Sequence, residues 1–335
     1  MRNLLANLFT VFVLAVGVAG WFGLQMYQTM HQQNTLTTPF VLQLERGDSL
    51  RTISNKLAQH NLLDTPAHFV WWARLRGDDK RLQAGDYEIL PRQSLLEVLN
   101  NMVAGKVQQF GITLVEGWNF RQMMQAINQH EHLDHTLKGL DDAALMAALG
   151  YPGEHPEGRF APDTYYVRNQ EKDSELLQRA YRSMAQTLET LWQDRAPDLP
   201  YKNSYEALIM ASIIEKESAV AEERPLIGGV FINRLRKGMR LQTDPTVIYG
   251  IGESYDGDIR FRDLRTDTPY NTYTRKGLPP TPIAMPGAES IHAALHPADT
   301  DYLFFVAHSD SSGRHIFTST LDEHEKMVDL HQRKR

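Results

Sequence analysis

Two glutamates close a strongly apolar run, Ala211-Ser-Ile-Ile-Glu-Lys-Glu-Ser218. A carboxyl group on the oily side of a helix keeps its proton, because burial disfavours the charged form. A protonated carboxylic acid is the group that cleaves a glycosidic bond by general acid catalysis. On a helical wheel of about 100° per residue, Ile209, Met210, Ile213 and Ile214 bracket Glu217, while Glu215 falls nearer the edge beside Leu208, Ala211 and Ser212. Lys216 points away from the apolar stripe. Residues two apart do not face each other on a helix, so the wheel selects Glu217 as the buried acid and predicts a raised pKa. The competing reading is an ordinary helix end with solvated charges.

Sugars are held by aromatic faces and by amides, carboxylates and hydroxyls that bond their hydroxyls. Residues 240–290 supply that mixture in Gln242, Asp244, Tyr249, Tyr270, Asn271 and Tyr273. The alternative is that these tyrosines and the nearby prolines only order long loops. No His-Glu-x-x-His pattern occurs among the thirteen histidines. His292 and His296 are four apart on an expected helix without an evident carboxylate partner, which reads as structural. There is no glycine-rich phosphate loop, and no cofactor or metal is expected. The chain has no cysteine, which excludes thiolate chemistry and suits an extracytoplasmic compartment. A net charge of −6 argues against a general nucleic-acid binder.

These groups need a scaffold, and 335 residues with 42% hydrophobic and 23% charged content allow two domains. Leu4 to Met26 carries no charge and is long enough to cross a bilayer core of roughly 30 Å. A cleavable signal peptide is the alternative. Trp21, Phe22 and Tyr27 resemble an interfacial aromatic belt, which favours a retained anchor. Arg2 precedes the span and no Lys or Arg follows until Arg46, placing residue 1 in the cytoplasm and the body outside. Residues 28–39 read as a polar spacer.

From Phe40 onward a strand–turn–helix pattern recurs. Phe40–Leu44 and Gly85–Leu90 read as strands. Between them lie a helix capped by Ser49 and a second opened by Thr65-Pro66. Ser94 and Glu97 form a capping box for a helix ending near Gly105. Val107–Val115 reads as a third strand, and Asn119 caps Phe120–Gln129. Residues 131–203 look helical, except for a shaped loop at Glu157-Gly-Arg-Phe-Ala-Pro-Asp-Thr-Tyr165. Asn203 and Glu206 start the Glu217 helix, and Pro225 opens another that Gly238 ends. From Leu241 the chain reads as loop-rich, up to a short helix at Ser290, strands at Tyr302–Ala307 and His315–Thr318, and a last helix near Leu321. The expected fold class is α+β. Strand, two helices and strand, opened by Arg46-Gly-Asp-Ser-Leu50, look like a LysM-type module, a fold often used to bind N-acetylated glycans; a structural spacer domain is the alternative.

From Val115-Glu-Gly-Trp118 to its end, the chain resembles the endolytic murein transglycosylases of the MltG (YceG-like) family. The landmarks are Pro162-Asp-Thr-Tyr165, Ala211 to Ser218, Val230-Phe-Ile-Asn-Arg-Leu235, Met239 to Gly250, Tyr270-Asn-Thr-Tyr273, Gly277-Leu-Pro-Pro280, His296-Pro297 and His315-x-Phe317. Met285 departs from the Asn or Thr expected in its loop. The resemblance implies that the second glutamate of the Glu-x-Glu-Ser motif, Glu217, is the catalytic acid. It implies cleavage of the β-1,4 bond between N-acetylmuramic acid and N-acetylglucosamine in peptidoglycan. Glu217 would protonate the leaving oxygen and then take the proton of the C6 hydroxyl as a 1,6-anhydro ring closes, aided by the substrate's acetamido group. One carboxyl then serves as acid and base, unlike the two of ordinary glycosidases.

The resulting expectations are an anchor and cytoplasmic N-terminus at 1–30, a linker at 31–39, a LysM-like module at 40–106 and a YceG-like catalytic domain at 107–335. Gln242, Asp244, Tyr270, Asn271 and Tyr273 are expected to line the glycan groove. The family further implies a single-pass protein of the bacterial inner membrane that ends nascent glycan strands beside bifunctional penicillin-binding proteins. Two other readings stand: a lysozyme-type hydrolase using Asp244 or Asp163 as a second carboxylate, and a non-catalytic glycan-binding scaffold of the wall-synthesis machinery.

Overall fold

The computed structural model describes residues 2–218, 220–310 and 312–332. They fall into two units, Met1–Phe110 with Tyr166–Gln170, and Gly111–Tyr165 with Glu171–Arg335.

In the first unit, α1 (Arg2–His31) is one unbroken helix. Its span Leu4–His31 is long and apolar enough to cross a membrane. The last turns of α1 are not spacer, as the polar composition suggested. Met26 and Met30 are buried, Thr29 Oγ1 lies 2.9 Å from His68 Nδ1, and the Asn34 amide donates to the carbonyls of Leu90 and Gln93, 2.8 Å each. Burial of Met30 with Leu42, Leu57, Phe69 and Leu99 extends the helix into the module's core.

Strands β1 (Phe40–Leu44) and β2 (Gly85–Ile89) pair antiparallel, from Phe40 opposite Ile89 to Leu44 opposite Gly85. Helices α2 (Leu50–Gln59) and α3 (Pro66–Arg76) lie between them in sequence, and α4 (Leu95–Ala104) follows. The local signals act as expected. Ser49 Oγ accepts from Thr52 N, Pro66 opens α3, and Ser94 and Glu97 make the reciprocal box.

The second unit begins within β3 (Phe110–Thr113), a strand shorter than expected, and continues to α5 (Phe120–Gln129), capped by Asn119. The stretch that looked helical is mixed. It holds β4 (Leu133–Asp134), α6 (Asp142–Leu149), β5 (Thr164–Val167, whose last two residues count with the first unit) and β6 (Glu171–Lys172), with β4 and β6 parallel. Two-residue strands carry too few alternating positions for a period to be read.

Helix α7 (Asp173–Gln193) leads to α8 (Ser204–Glu217), the centre of the unit's core. Asn203 caps α8 by accepting from Glu206 N, while the Glu206 carboxylate takes the N–H of Lys202. Around α8 pack α9 (Arg224–Arg236) and α12 (Ala288–Leu295). A Cβ at Gly228 would stand 2.8 Å from the Ala293 carbonyl, so glycine is what lets α9 approach α12. The segment after Leu241 is less loop-rich than its composition suggested, for it forms α10 (Asp244–Ile251) and the short α11 (Phe261–Arg265). Pro245 in the first turn was the sequence signal for α10. Strands β7 (Phe304–Ala307) and β8 (His315–Thr318) pair antiparallel, and α13 (Leu321–His331) follows. The fold is α+β.

Candidate functional site

Every residue of α8 from Ala207 to Ile214 is buried, so the helix has no polar face in its middle. The apolar side that singled out Glu217 is therefore not a side at all. Position along the helix separates the two glutamates. Glu215 turns into the protein: its Oε2 accepts from Gly287 N at 3.0 Å and Ser290 Oγ at 2.7 Å, at the N-terminus of α12. A carboxylate there is favoured by the free N–H groups and the helix dipole.

Glu217 is the last residue of α8, half-buried, and lines a cleft of about 540 Å³. Burial pushes its pKa up, and the Asp244 charge pushes the same way. Three features oppose them: a hydrogen bond donated by the Thr243 hydroxyl to Oε1, and the nearby His315 and Arg234. The carbonyl end of α8 also disfavours a negative charge at this position. The result is a carboxylic acid that keeps its proton at pH values where a free glutamate has lost it.

Thr243 is placed by its neighbours. Its N–H donates to Thr272 Oγ1 at 3.1 Å, and Gln242, just before it, holds a left-handed φ of 51°. A glutamine in that region is strained, which is common where a fold fixes a functional loop. Arg234, from α9, donates to Leu303 O and Leu241 O at 2.6 Å each and lies over the Phe304 ring. It thus ties the 241 turn to β7 and sets a fixed cation near Glu217.

The residues expected in the groove divide. Gln242, Asp244 and Tyr273 line the Glu217 cleft, and Tyr273 Oη donates to Asp244 Oδ1 at 2.6 Å. Asn271 does not line it. It is 1% exposed; its amide donates to the carbonyls of Asp263, Leu264 and Thr266, and its oxygen accepts from Tyr273 N. Its role is to fold the loop that carries Tyr273. Tyr270 lies instead on a second cleft of about 920 Å³ with Tyr249, whose ring is 4.8 Å away. Asp163 is outside the Glu217 cleft and accepts from Thr164 N. Among described residues only Asp244 joins Glu217 as a carboxylate lining that cleft. Met285 is a core residue, its backbone bonded to Gly117 and Trp118. His292 and His296 stack on each other at 4.4 Å.

Sequence reasoning passed over three residues around Glu217: Thr243, Arg234 and His315, the last lying 2.9 Å through Nδ1 from the buried Glu223 carboxylate. All three sit inside landmark runs but were not singled out, because their roles depend on segments far apart in sequence. It also passed over Glu157. That side chain is 2% exposed, accepts from Phe120 N at 3.0 and 3.2 Å and from Tyr249 Oη at 2.9 Å, and its pKa is pushed up to about 7, chiefly by burial. No group of His, Asp or Glu able to hold a metal occurs among the described residues.

The family model described as "YceG-like family" matches residues 42–330. An endolytic murein transglycosylase of Bacillus subtilis is 31% identical, across 93% of this chain and 90% of its own length. One from Streptococcus pneumoniae is 25% identical, across 96% of this chain and 64% of its own. A crystal structure of a putative yceG-like protein from Listeria monocytogenes, 31% identical, matches with a TM-score of 0.56 over 86% of this chain and 98% of that one.

Proposed function

The chain belongs to the YceG-like family, and from that premise we propose that it is an endolytic peptidoglycan lytic transglycosylase with Glu217 as its acid. The observation that carries this reading is a carboxyl held in its protonated form, half-buried in a cleft with polar and aromatic walls. Glu217 gives its proton to the oxygen of the β-1,4 bond between N-acetylmuramic acid and N-acetylglucosamine, and the C1–O bond breaks. The acetamido group of the same sugar assists as positive charge develops at C1. The C6 oxygen then bonds to C1, closing a 1,6-anhydro ring, and Glu217 recovers a proton from that hydroxyl. The attacking group is tethered to the electrophile, so its effective concentration is far above what water can match. Arg234 and His315 stabilise the carboxylate in the interval before the proton returns.

Gln242, Asp244 and Tyr273 contact the glycan in this reading. Helix α1 holds the protein in the inner membrane by a single pass, with residue 1 cytoplasmic and the body outside. In this reading the β–α–α–β module is LysM-like, the kind of module often used to bind N-acetylated glycans. Membrane tethering near the site of glycan synthesis suits a terminator of nascent strands acting beside bifunctional penicillin-binding proteins.

The test digests un-crosslinked glycan strands with the full-length protein in detergent and identifies new ends by mass spectrometry. Anhydro-muramic ends from the wild type and none from Glu217→Gln are expected. Reducing ends would replace this reading with a hydrolase in which Asp244 is the second carboxylate. Unchanged cleavage by Glu217→Gln would remove the acid from Glu217.

A further inference from the structure

Helix α1 changes character along its length. Every residue from Leu4 to Trp21 is exposed. At roughly 1.5 Å per residue that stretch covers about 27 Å, close to the full thickness of a bilayer core. Packing against the first unit starts at once, at Phe22, whose ring meets that of His68 on α3 at 5.3 Å and 76°. Thr29 Oγ1 lies 2.9 Å from His68 Nδ1, and the Trp72 ring lies 6.3 Å from Tyr27 and 5.7 Å from His31. Helix α3 is therefore fixed to α1 directly beyond the part that fits the bilayer core. From Trp21 to Tyr27 the axis rises only about 9 Å. The headgroup layer on each side of a bilayer is itself about 5–8 Å deep, so no spacer lifts this helix clear of it.

Helix α3 carries apolar residues on more than one face. Phe69 and Ala73 point into the core, and His68 and Trp72 meet α1. Trp71, Arg74 and Leu75, at spacings of three and four, share the face turned away from the core. Trp71 is 50% and Leu75 73% exposed, and nothing in the first unit covers them. Arg76 pairs with Asp78 at 2.9 Å, whereas among the described residues Arg74 has no carboxylate partner. Leu24 and Tyr27 on α1 are exposed at the same level. An indole, a leucine and an unpaired guanidinium on one helix face suit a membrane interface: the ring sits among the headgroups, the leucine reaches the upper acyl chains and the guanidinium meets lipid phosphates.

We propose that this face of α3 docks on the surface of the bilayer from which α1 emerges, with a phospholipid headgroup layer as its partner. This rests on the single-pass reading of α1 given above. Two contacts, one spanning and one lying in the interface, fix the tilt of the first unit on the membrane. A lone helix followed by a free linker would leave that tilt open.

The chain has no cysteine, so single cysteines can report position. Full-length protein in liposomes of phosphatidylethanolamine and phosphatidylglycerol is labelled with a fluorophore at Val18→Cys, within the exposed part of α1, or at Ala67→Cys, an exposed position one turn before Trp71. Nitroxides on the lipid headgroup or acyl chain quench a label that they reach, and iodide quenches one in water. The Val18 label should be quenched from the acyl chains. A face set about 5–10 Å into the interface should have its Ala67 label quenched roughly twofold or more by headgroup nitroxides and shielded from iodide. Quenching at 67 should fall severalfold in Trp71→Ser/Leu75→Ser, with the thermal midpoint little changed because both side chains are exposed. Arg74→Glu, which reverses one surface charge, should also lower it.

An Ala67 label open to iodide and untouched by headgroup nitroxides would overturn the docking, while quenching at Val18 still reported a spanning α1. Quenching at 67 that neither variant moved would reflect the tether alone and would overturn it too. A Val18 label beyond the reach of acyl-chain nitroxides would remove the single-pass reading, and the docking with it.

Discussion

Burial raises the pKa of both Glu157 and Glu217, yet their surroundings differ in one decisive respect. The Glu157 carboxyl, at the wall of the second cleft, has both oxygens taken: Phe120 N–H at the start of α5 bonds to each of them and Tyr249 Oη donates to Oε2. Among the described residues Glu217 accepts a single hydrogen bond, from Thr243, and the rest of its carboxyl faces a cleft. A third carboxyl, Glu215, is sealed against α12 by two donors and Arg224. A shifted pKa therefore does not by itself mark a reacting acid. Unused hydrogen-bonding capacity next to open space does, because a proton can leave only toward a group that can approach it.

The sharpest way to break this contrast is to remove each acid in turn. Glu217→Gln should lower strand cleavage by at least about 1,000-fold, within the range for a lost general acid, while the urea midpoint changes little. Glu157→Ala should do the reverse. It strands two buried donors and costs on the order of 3 kcal/mol of stability, with turnover per folded molecule retained. Loss of turnover at full stability in Glu157→Ala would erase the distinction.

The pH dependence of stability sharpens it further. The folded pKa of Glu157, about 7, lies above its ordinary value of 4.5. The folded state then holds a proton that the unfolded state has released, so this contribution is complete below about pH 4.5 and fades as pH rises through about 7. Urea unfolding should show roughly 3 kcal/mol of stability lost across that window through this group, and Glu157→Gln should flatten the slope. A slope unchanged in the variant would assign the titration elsewhere.

The smallest expected effect is at Thr243. Its hydroxyl holds the Glu217 pKa down. In Thr243→Val the alkaline limb of the pH–rate profile should move to higher pH, since the acid works only while protonated. Turnover at the optimum should drop by roughly tenfold, the scale of one lost hydrogen bond to a charged group. A limb that moves to lower pH would contradict the hydrogen bond's direction.

Local signals carried most of the helices. The caps Ser49, Ser94, Asn119 and Asn203 each satisfy a free N–H group of the first turn, so the residue types alone mark the helix starts. The hairpin at Phe304–Ala307 and His315–Thr318 was similarly readable from its apolar runs around Gly313. What misled was periodicity where burial is complete. In α8 an apolar stripe cannot be distinguished when all sides are covered, and the wheel reached Glu217 on an argument the packing does not support. Composition misled at Asn271, because an amide suited to a sugar hydroxyl is equally suited to three loop carbonyls.

The amino-acid sequence on its own determined an apolar N-terminal helix, the capped helices of an α+β chain, and a glutamate closing a buried run. These depend on interactions within a few residues or on bulk partition into an apolar phase, and both are set by residue type and order. Tertiary structure alone decided which glutamate opens onto a cleft, which is sealed on α12 and which braces Tyr249. It also decided that Thr243, Arg234 and His315 surround Glu217, with the Glu223 carboxylate bonded to His315. Glu223 and His315 are 92 residues apart in the chain, and no local rule couples positions so distant. Their meeting follows from how β8 and the turn before α9 are placed in the second unit.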